Sequence, residues 1–181
     1  MNDKIEILLS KKKIVLLLIG GAILIICGVW LIAVPEIFIP NIFSINNPQI
    51  IRFWGIAGVI FFGLAFIYGC TKLFDKKAGI IIDSYGISDN TNASSIGLIE
   101  WNDINNIRTL QVMSTKILLI DVNNPEKYIG KAKNRINAKL MRANMKIYET
   151  PISITSNTLK CNFVKLESII KFEFEKNKNA R

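Results

Sequence analysis

The feature that most constrains this chain is an uninterrupted apolar run near its N-terminus, residues 14–34, which contains no charged side chain. About 20 residues of helix are enough to cross the hydrocarbon core of a bilayer. A buried helix of a soluble domain is rarely apolar on every face over this length. The run is also longer than the apolar core of a cleaved signal peptide, and no small-residue cleavage site follows it. We therefore predict a first transmembrane helix over residues 14–34.

A second apolar segment, residues 53–71, predicts a second transmembrane helix. It is rich in glycine, which is frequent in membrane helices because it lets neighbouring backbones approach closely. The segment between the two helices, residues 35–52, is too short to form a domain and is predicted to be an extracytoplasmic loop. The two spans would form a transmembrane hairpin, so the lipid bilayer is the first partner that the sequence predicts.

The charges that flank the hairpin predict its orientation. The N-terminal tail, residues 1–13, is rich in lysine, and further lysines follow the second span, whereas residues 35–51 contain no lysine or arginine. The positive-inside rule places such basic flanks in the cytoplasm. Trp30 and Trp54 would then both lie at the outer interface, where tryptophan is enriched. We therefore expect a multi-pass protein of the cell inner (plasma) membrane with cytoplasmic N- and C-termini.

The composition of the chain narrows the chemistry that it can perform. The net charge of +9 suits an anionic partner such as a phospholipid surface, although solubility alone also explains it. The chain contains no histidine, which is the commonest general base and metal ligand, and its three cysteines lack metal-ligand or redox spacing. The sequence holds no phosphate-binding loop, nucleophile elbow or zinc-binding helix motif. We expect no cofactor, no metal and no enzymatic activity.

The residues that follow the hairpin predict a cytoplasmic α+β domain over residues 78–175, with a polar tail at 176–181. Short apolar runs separated by turn residues predict strands at 79–83, 87–88, 98–101, 104–112, 116–122 and 152–155. A mainly antiparallel sheet suits strands that follow one another so closely. Apolar residues at helical spacing predict a long amphipathic helix over residues 124–149, and a final helix begins near Asn162. The apolar face of the long helix comprises Ile129, Ala132, Ile136, Leu140, Ala143 and Ile147.

The segment Gly97-Leu-Ile-Glu-Trp-Asn-Asp-Ile104 resembles the W-x-D-I strand-turn-strand signature of bacterial pleckstrin-homology-like (PH-like) domains. The layout of the whole chain is similar to that of a family of small, uncharacterised bacterial membrane proteins with two spans followed by such a domain. Besides the signature, the resemblance is carried by Lys11–Lys13, Leu73–Lys77 and Leu159–Phe163. It implies a PH-like fold and no enzymatic activity. The long predicted helix departs from that fold, in which the strands run directly to a C-terminal helix.

Few side chains outside the hairpin suggest chemistry. The acids Glu100, Asp103 and Asp121 could in principle be paired for acid-base catalysis, but strand ends and turns are also ordinary places for solvated or capping carboxylates. Cys161 precedes a predicted helix, where a thiolate can be stabilised. A structural cysteine is the alternative interpretation. We assign no catalytic, cofactor-binding or metal-binding residue.

The most informative surface lies on the long predicted helix, where basic residues recur every three or four positions beside the apolar face. They are Lys131, Arg135, Lys139, Arg142 and Lys146, with no acid between the first and the last. Such a stripe could contact anionic lipid headgroups, and the alternative is a solvated face on a helix packed against the sheet. Nucleic acid is not expected, because the stripe has no interleaved aromatic residues.

These features predict a membrane-anchored, non-enzymatic binding module, whose cytoplasmic domain binds anionic lipid headgroups or a protein partner close to the bilayer. The alternative function is a structural or assembly subunit of a membrane complex that acts through its transmembrane hairpin, with Gly58 or Gly63 in lateral contacts. An enzyme of unrecognised type is a third reading, and it would require a deep polar pocket around Glu100 and Asp103.

Overall fold

A computed structural model describes residues 4–38 and 47–179 of the protein. The chain separates into two compact units. One comprises Lys11–Lys76, and the other combines Met1–Ser10 with Lys77–Arg181. Parts of three predicted segments, at 1–3, 39–46 and 180–181, lie outside the described residues. We call the first the helical unit and the second the sheet domain.

The helical unit contains two long apolar helices, α1 (Lys11–Ala33) and α2 (Pro48–Phe74), with a short 3-10 helix at Pro35–Phe38. Helix α2 begins before the predicted residue 53, because the side chain of Asn47 caps it by accepting the N–H of Gln49 at 2.9 Å. Both helices are long and apolar enough to cross a membrane, with mean hydropathies of 2.9 and 2.2. Only 11% of an apolar 18-residue stretch of each helix is buried within the protein, whereas the core helix of a soluble domain is mostly buried.

Helices α1 and α2 pack closely where Gly28 and Gly55 face each other. A Cβ atom placed on Gly55 would lie 2.9 Å from the carbonyl oxygen of Gly28, so the two backbones approach within a distance that only glycine allows. By contrast, a Cβ atom on Gly58 or Gly63 would meet no other atom within 4 Å. A Cβ atom on Gly69 would lie 2.8 Å from the side chain of Leu18 on α1, so two glycines of α2 pack the helix pair and two face open space.

The sheet domain is built from two antiparallel sheets, which confirms the predicted combination of helices with an antiparallel sheet. Sheet one has four strands in the order β1 (Ile5–Ile7), β2 (Ile80–Ile82), β3 (Gly86–Asp89) and β4 (Gly97–Glu100). Sheet two has three strands in the order β5 (Ile104–Val112), β6 (Thr115–Val122) and β7 (Ile152–Ile154). A 3-10 turn at Trp101–Asp103 joins β4 to β5. The turn at Met113 and Ser114 closes the hairpin between β5 and β6, as predicted.

The N-terminal residues, which the sequence analysis treats as a basic tail, contribute the edge strand β1. Ile7 pairs with Ile80, and the N–H of Gly79 donates to the carbonyl of Ile7 at 2.9 Å. Ile7 and Leu9 are both 7% exposed, since alternate residues of an extended chain face the same side. The two-helix unit is therefore inserted between two strands that pair with each other.

Three helices complete the sheet domain: α3 (Pro125–Gly130), α4 (Arg135–Tyr148) and α5 (Phe163–Asn179). The prediction of one long helix over residues 124–149 is wrong, because the chain leaves the helical conformation at residues 131–134. Gly130 ends α3, and the side chain of Asn134 starts α4 afresh by accepting the N–H of Asn137 at 2.9 Å. A cap residue inside an apolar repeat thus divides the predicted helix in two.

The core of the sheet domain consists mainly of isoleucine and leucine from both sheets and from α5. Leu166 and Ile170 of α5 are fully buried, and the ring of Phe174 packs 6.5 Å from that of Trp101 between centroids. The indole N–H of Trp101 donates to the carbonyl of Asp83 at 2.8 Å, so the buried ring leaves no unpaired donor. Trp101 is thus a structural residue that fastens the connection between the sheets.

The close approach of β3 to β4 predicts a sharp difference between two glycines. A Cβ atom on Gly86 would overlap the carbonyl oxygen of Ile99, whereas one on Gly130 would meet nothing within 4 Å. We expect Gly86→Ala to lower the free energy of unfolding by about 2 kcal/mol or more, because backbone must move to relieve the overlap. Gly130→Ala, the control, should leave it unchanged or slightly higher. Denaturant unfolding in detergent micelles, followed by Trp101 fluorescence in a Trp30→Phe/Trp54→Phe background, measures both. Equal stabilities of the two variants would contradict this account.

Candidate functional site

Helix α4 packs on the sheet domain through a narrow side centred on Met141, which is fully buried. The side-chain amide of Asn144 donates to the hydroxyl of Ser153 on β7 at 3.2 Å. Ala138 and Met145 are partly buried on the same side. Since Met141 is the one buried residue of α4, most of the helix surface remains open.

The apolar residues that were predicted to form a single packing face do not share one face in the structure. Ile129 belongs to α3 and is 3% exposed, whereas Ile136 and Ile147 on α4 are 71% and 68% exposed. Leu140, between them, is 42% exposed. The break at residues 131–134 changes the helical phase, so the two halves of the predicted face no longer align. Helix α4 thus exposes an apolar ridge, defined as Ile136, Leu140 and Ile147.

The basic residues of α4 are all exposed and lie beside this ridge. They are Arg135, Lys139, Arg142 and Lys146, and we call them the basic row. Each is followed directly in sequence by a member of the ridge or by Ala143, so the row and the ridge lie about 100° apart around the helix. No acidic residue occurs in Arg135–Tyr148. The helix therefore presents a continuous cationic and apolar surface.

Lys131, the fifth predicted cation, lies apart from the basic row at the end of α3. Its ammonium nitrogen is 3.4 Å from Glu100 Oε1 and 5.0 Å from the centre of the Tyr128 ring. Lys131 is therefore engaged in an ion pair with Glu100 and a cation–π contact with Tyr128. The structure brings together four of the five predicted cations and places the other beside an acidic strand end.

Glu100 and Asp103 form a cluster with residues of α3. The ammonium of Lys127 lies 2.6 Å from Asp103 Oδ2 and 3.0 Å from Glu100 Oε1. The hydroxyl of the buried Tyr128 donates to Asp103 Oδ2 at 2.6 Å and accepts the N–H of Glu100 at 3.1 Å. These contacts tie α3 to the turn between the two sheets.

The electrostatics of this cluster keep every group in its ordinary charge state at neutral pH. The hydrogen bond from Lys127 lowers the pKa of Asp103 and of Glu100 below their usual values. The two carboxylates raise the pKa of Lys127, and burial raises the pKa of Tyr128. A general acid or base works best with a pKa near the working pH, so these shifts point away from proton transfer. The geometry suits a structural role.

Arg108 forms a second ion pair, which was not predicted from the sequence, and also binds the C-terminal end of α4. Arg108 Nε on β5 donates to both carboxylate oxygens of Asp121, at 2.9 and 3.1 Å, and its Nη2 donates to the carbonyl of Tyr148. Asp121 is therefore engaged by a cation, as Glu100 and Asp103 are. The tight turn between β5 and β6 could have indicated the Arg108–Asp121 pair, but the reach to Tyr148 depends on the tertiary fold.

Cys161 and one cleft of the sheet domain remain as candidate sites of chemistry. Cys161 is a partly exposed cysteine that precedes α5. A cleft of about 400 Å³ lies along sheet one, and its polar lining includes Lys77, Asp89 and Lys133 but neither Glu100 nor Asp103. Among residues 4–38 and 47–179, no group of three or more potential metal ligands comes together.

Comparison with protein-family models, with curated proteins and with solved structures finds no match to this chain. The resemblance to two-span proteins with a PH-like domain therefore stays a prediction. What the site can do follows from its own geometry: four clustered cations and three exposed aliphatic side chains on one fixed helix.

The depressed pKa of Asp103 predicts how the stability of the sheet domain depends on pH. A lowered folded-state pKa contributes stability that is present above the unfolded value, about 3.9, and is lost as pH falls through the folded value. We expect Asp103→Asn to lower the free energy of unfolding by about 1–3 kcal/mol at pH 7, because Lys127 and Tyr128 lose a charged acceptor. The deficit should shrink below about pH 4. Denaturant unfolding across pH measures this. The exposed Glu126, in the first turn of α3, serves as a control: Glu126→Gln removes a charge that the helix dipole favours by about 0.3–1 kcal/mol, and should lower the stability by less than Asp103→Asn does.

Proposed function

We propose that this protein is a membrane-anchored, non-enzymatic binding module, in which α1 and α2 cross the inner (plasma) membrane and the sheet domain lies in the cytoplasm close to the bilayer. The observation that carries the proposal is the pairing of β1, before α1, with β2, after α2. Because both strands belong to one sheet, an even number of membrane crossings must separate them. A hairpin of two spans meets that requirement.

The tethering of the domain supports a position near the membrane surface. Ser10 is followed directly by the first residue of α1, and only residues 75–79 separate α2 from β2. Lysines flank both junctions, at Lys11–Lys13 and at Lys76 and Lys77, which favours a cytoplasmic location under the positive-inside rule.

Two observations support a PH-like architecture for the domain. The order of four strands, three strands and a C-terminal helix fits that fold, with the hairpin inserted after the first strand and α3–α4 inserted before the last. The W-x-D-I residues Trp101, Asp103 and Ile104 join the two sheets, which suits a signature of the strand-turn-strand type.

A binding role is favoured over a catalytic one because each candidate acid is held in an ion pair. Glu100 and Asp103 share Lys127, and Asp121 holds Arg108. The open surface of α4 is instead suited to recognition, by an anionic lipid headgroup or an acidic protein partner. We do not expect nucleic acid as a partner.

Cysteine labelling tests the anchoring and the orientation. In a chain with Cys27, Cys70 and Cys161 replaced by serine, Ser114→Cys places a thiol in an exposed turn of the sheet domain. Glu36→Cys places one between the two helices. We expect an impermeant maleimide to label Glu36→Cys in intact cells and Ser114→Cys only after lysis. Labelling of both thiols in intact cells, or release of the protein by alkaline washing, would rule out the proposed arrangement.

A second candidate function, a structural subunit that packs laterally through its hairpin, is favoured by the open space beside Gly58 and Gly63. At about 100° per residue these two glycines lie about 140° apart around α2, so a single partner helix would contact only one of them. Each is therefore the control for the other. We expect that crosslinking in membranes captures a partner, and that leucine at one of the two glycines abolishes the crosslink while leucine at the other preserves it. Crosslinking that is unaffected by either change would remove this function.

A further inference from the structure

The apolar ridge of α4 is an unusual feature for a solvated helix. Ile136, Leu140 and Ile147 recur at four- and seven-residue spacing, so their side chains form one row along the exposed side of the helix. Exposed apolar residues occur elsewhere in the sheet domain, but Phe172 of α5, for example, has Lys171 beside it and the acid Glu175 one turn further on. The ridge has the basic row along one side and Asn137 and Asn144 along the other, and α4 contains no acid.

The helix is also held in a fixed position before any partner arrives. Arg108 fastens its last turn through the carbonyl of Tyr148, Asn134 caps its first turn, and Asn144 joins it to β7. A partner therefore meets a preformed surface and need not fold it, which lowers the entropic cost of binding.

The chemistry of this surface identifies the class of partner. The basic row, Arg135, Lys139, Arg142 and Lys146, attracts an anionic ligand, and the ridge favours an apolar environment within one side-chain length of those charges. An anionic bilayer supplies both, with phosphates at the interface and acyl chains directly below them. A nucleic acid would satisfy the cations but leave the aliphatic side chains in water.

We propose that α4 is an interfacial helix that lies flat on an anionic bilayer, with Ile136, Leu140 and Ile147 inserted below the headgroups and the basic row against the lipid phosphates. This inference rests on the proposed function and names the partner of its binding surface. The membrane anchor keeps the local lipid concentration high, so the contact with the bilayer need only be weak to be occupied.

Spin labels on the full-length chain in lipid vesicles test this inference. In the cysteine-free background, Ile136→Cys, Leu140→Cys and Ile147→Cys each place a nitroxide on the ridge. Phe172→Cys, on an apolar residue that is 67% exposed, is the matched control. In vesicles of phosphatidylcholine with phosphatidylglycerol, the ratio of oxygen collisions to nickel-complex collisions should be several-fold higher for the ridge labels than for the control. In vesicles of phosphatidylcholine alone the difference should disappear.

Charge reversal separates the role of the basic row from a general effect of net charge. Lys139→Glu with Arg142→Glu should return the ridge labels to the collision ratio of the control, since each cation removed weakens docking roughly fivefold. Lys116→Glu with Lys165→Glu changes the net charge equally at exposed residues outside α4 and should have no effect. Raising the salt from about 0.1 M to about 1 M should mimic the first pair of changes.

The outcomes distinguish this inference from the proposed function. Ridge labels that stay as accessible as the control in anionic vesicles would overturn the interfacial helix. Equal insertion of the ridge labels in neutral vesicles would also overturn it. Protection of the ridge labels that is seen only in native membranes would overturn it as well, because that result would point to a protein partner. A label at the exposed α1 position Leu16 reports on the anchor independently. Deep burial of that label would preserve the membrane anchoring even if α4 proved to be free in water.

Discussion

The pairing of β1 with β2 is the interaction on which the organisation of this protein depends. Without it, the two apolar helices would be an N-terminal appendage to a domain that begins after them. With it, they are an insertion into that domain. The edge strand β1 precedes the first helix in the sequence, and the remaining strands follow the second helix. The contacts are few, but Leu9 extends them by bridging to Leu159 near the far end of the chain. Both ends of the helical unit are therefore joined to strands of one sheet.

The break between α3 and α4 has the largest consequence for function. A continuous helix would have buried Ile136, Leu140 and Ile147 in line with Ile129, and the cations would have been an ordinary solvated border. Because Gly130 and Asn134 interrupt the helix, α3 can bury Tyr128 and Ile129 while α4 turns its aliphatic residues outward. The interruption thus leaves exposed a face that one continuous helix would have buried.

Charged residues are arranged differently around α3 and along α4. Around α3, Glu100 and Asp103 are neutralised by Lys127 and Lys131, and the lowered carboxyl pKa values show that the pairs favour the ionised forms. Along α4, the four cations have no acid on their own helix to offset them. The first arrangement holds the domain together, and the second leaves a surface that an external anion can complete.

The sequence by itself determined the elements whose signals are local. The two apolar runs, the strands 104–112 and 116–122, and the final helix all follow from composition and periodicity within a single segment. The tertiary structure alone decided that Ile5–Ile7 forms a strand, because that strand is too short to be recognised without its partner 75 residues later. It also decided which side of α4 is buried and which cations stay together. Those outcomes depend on contacts between residues that are distant in the sequence, such as Arg108 with Tyr148. No local sequence pattern indicates which of two apolar faces of a helix the fold will bury.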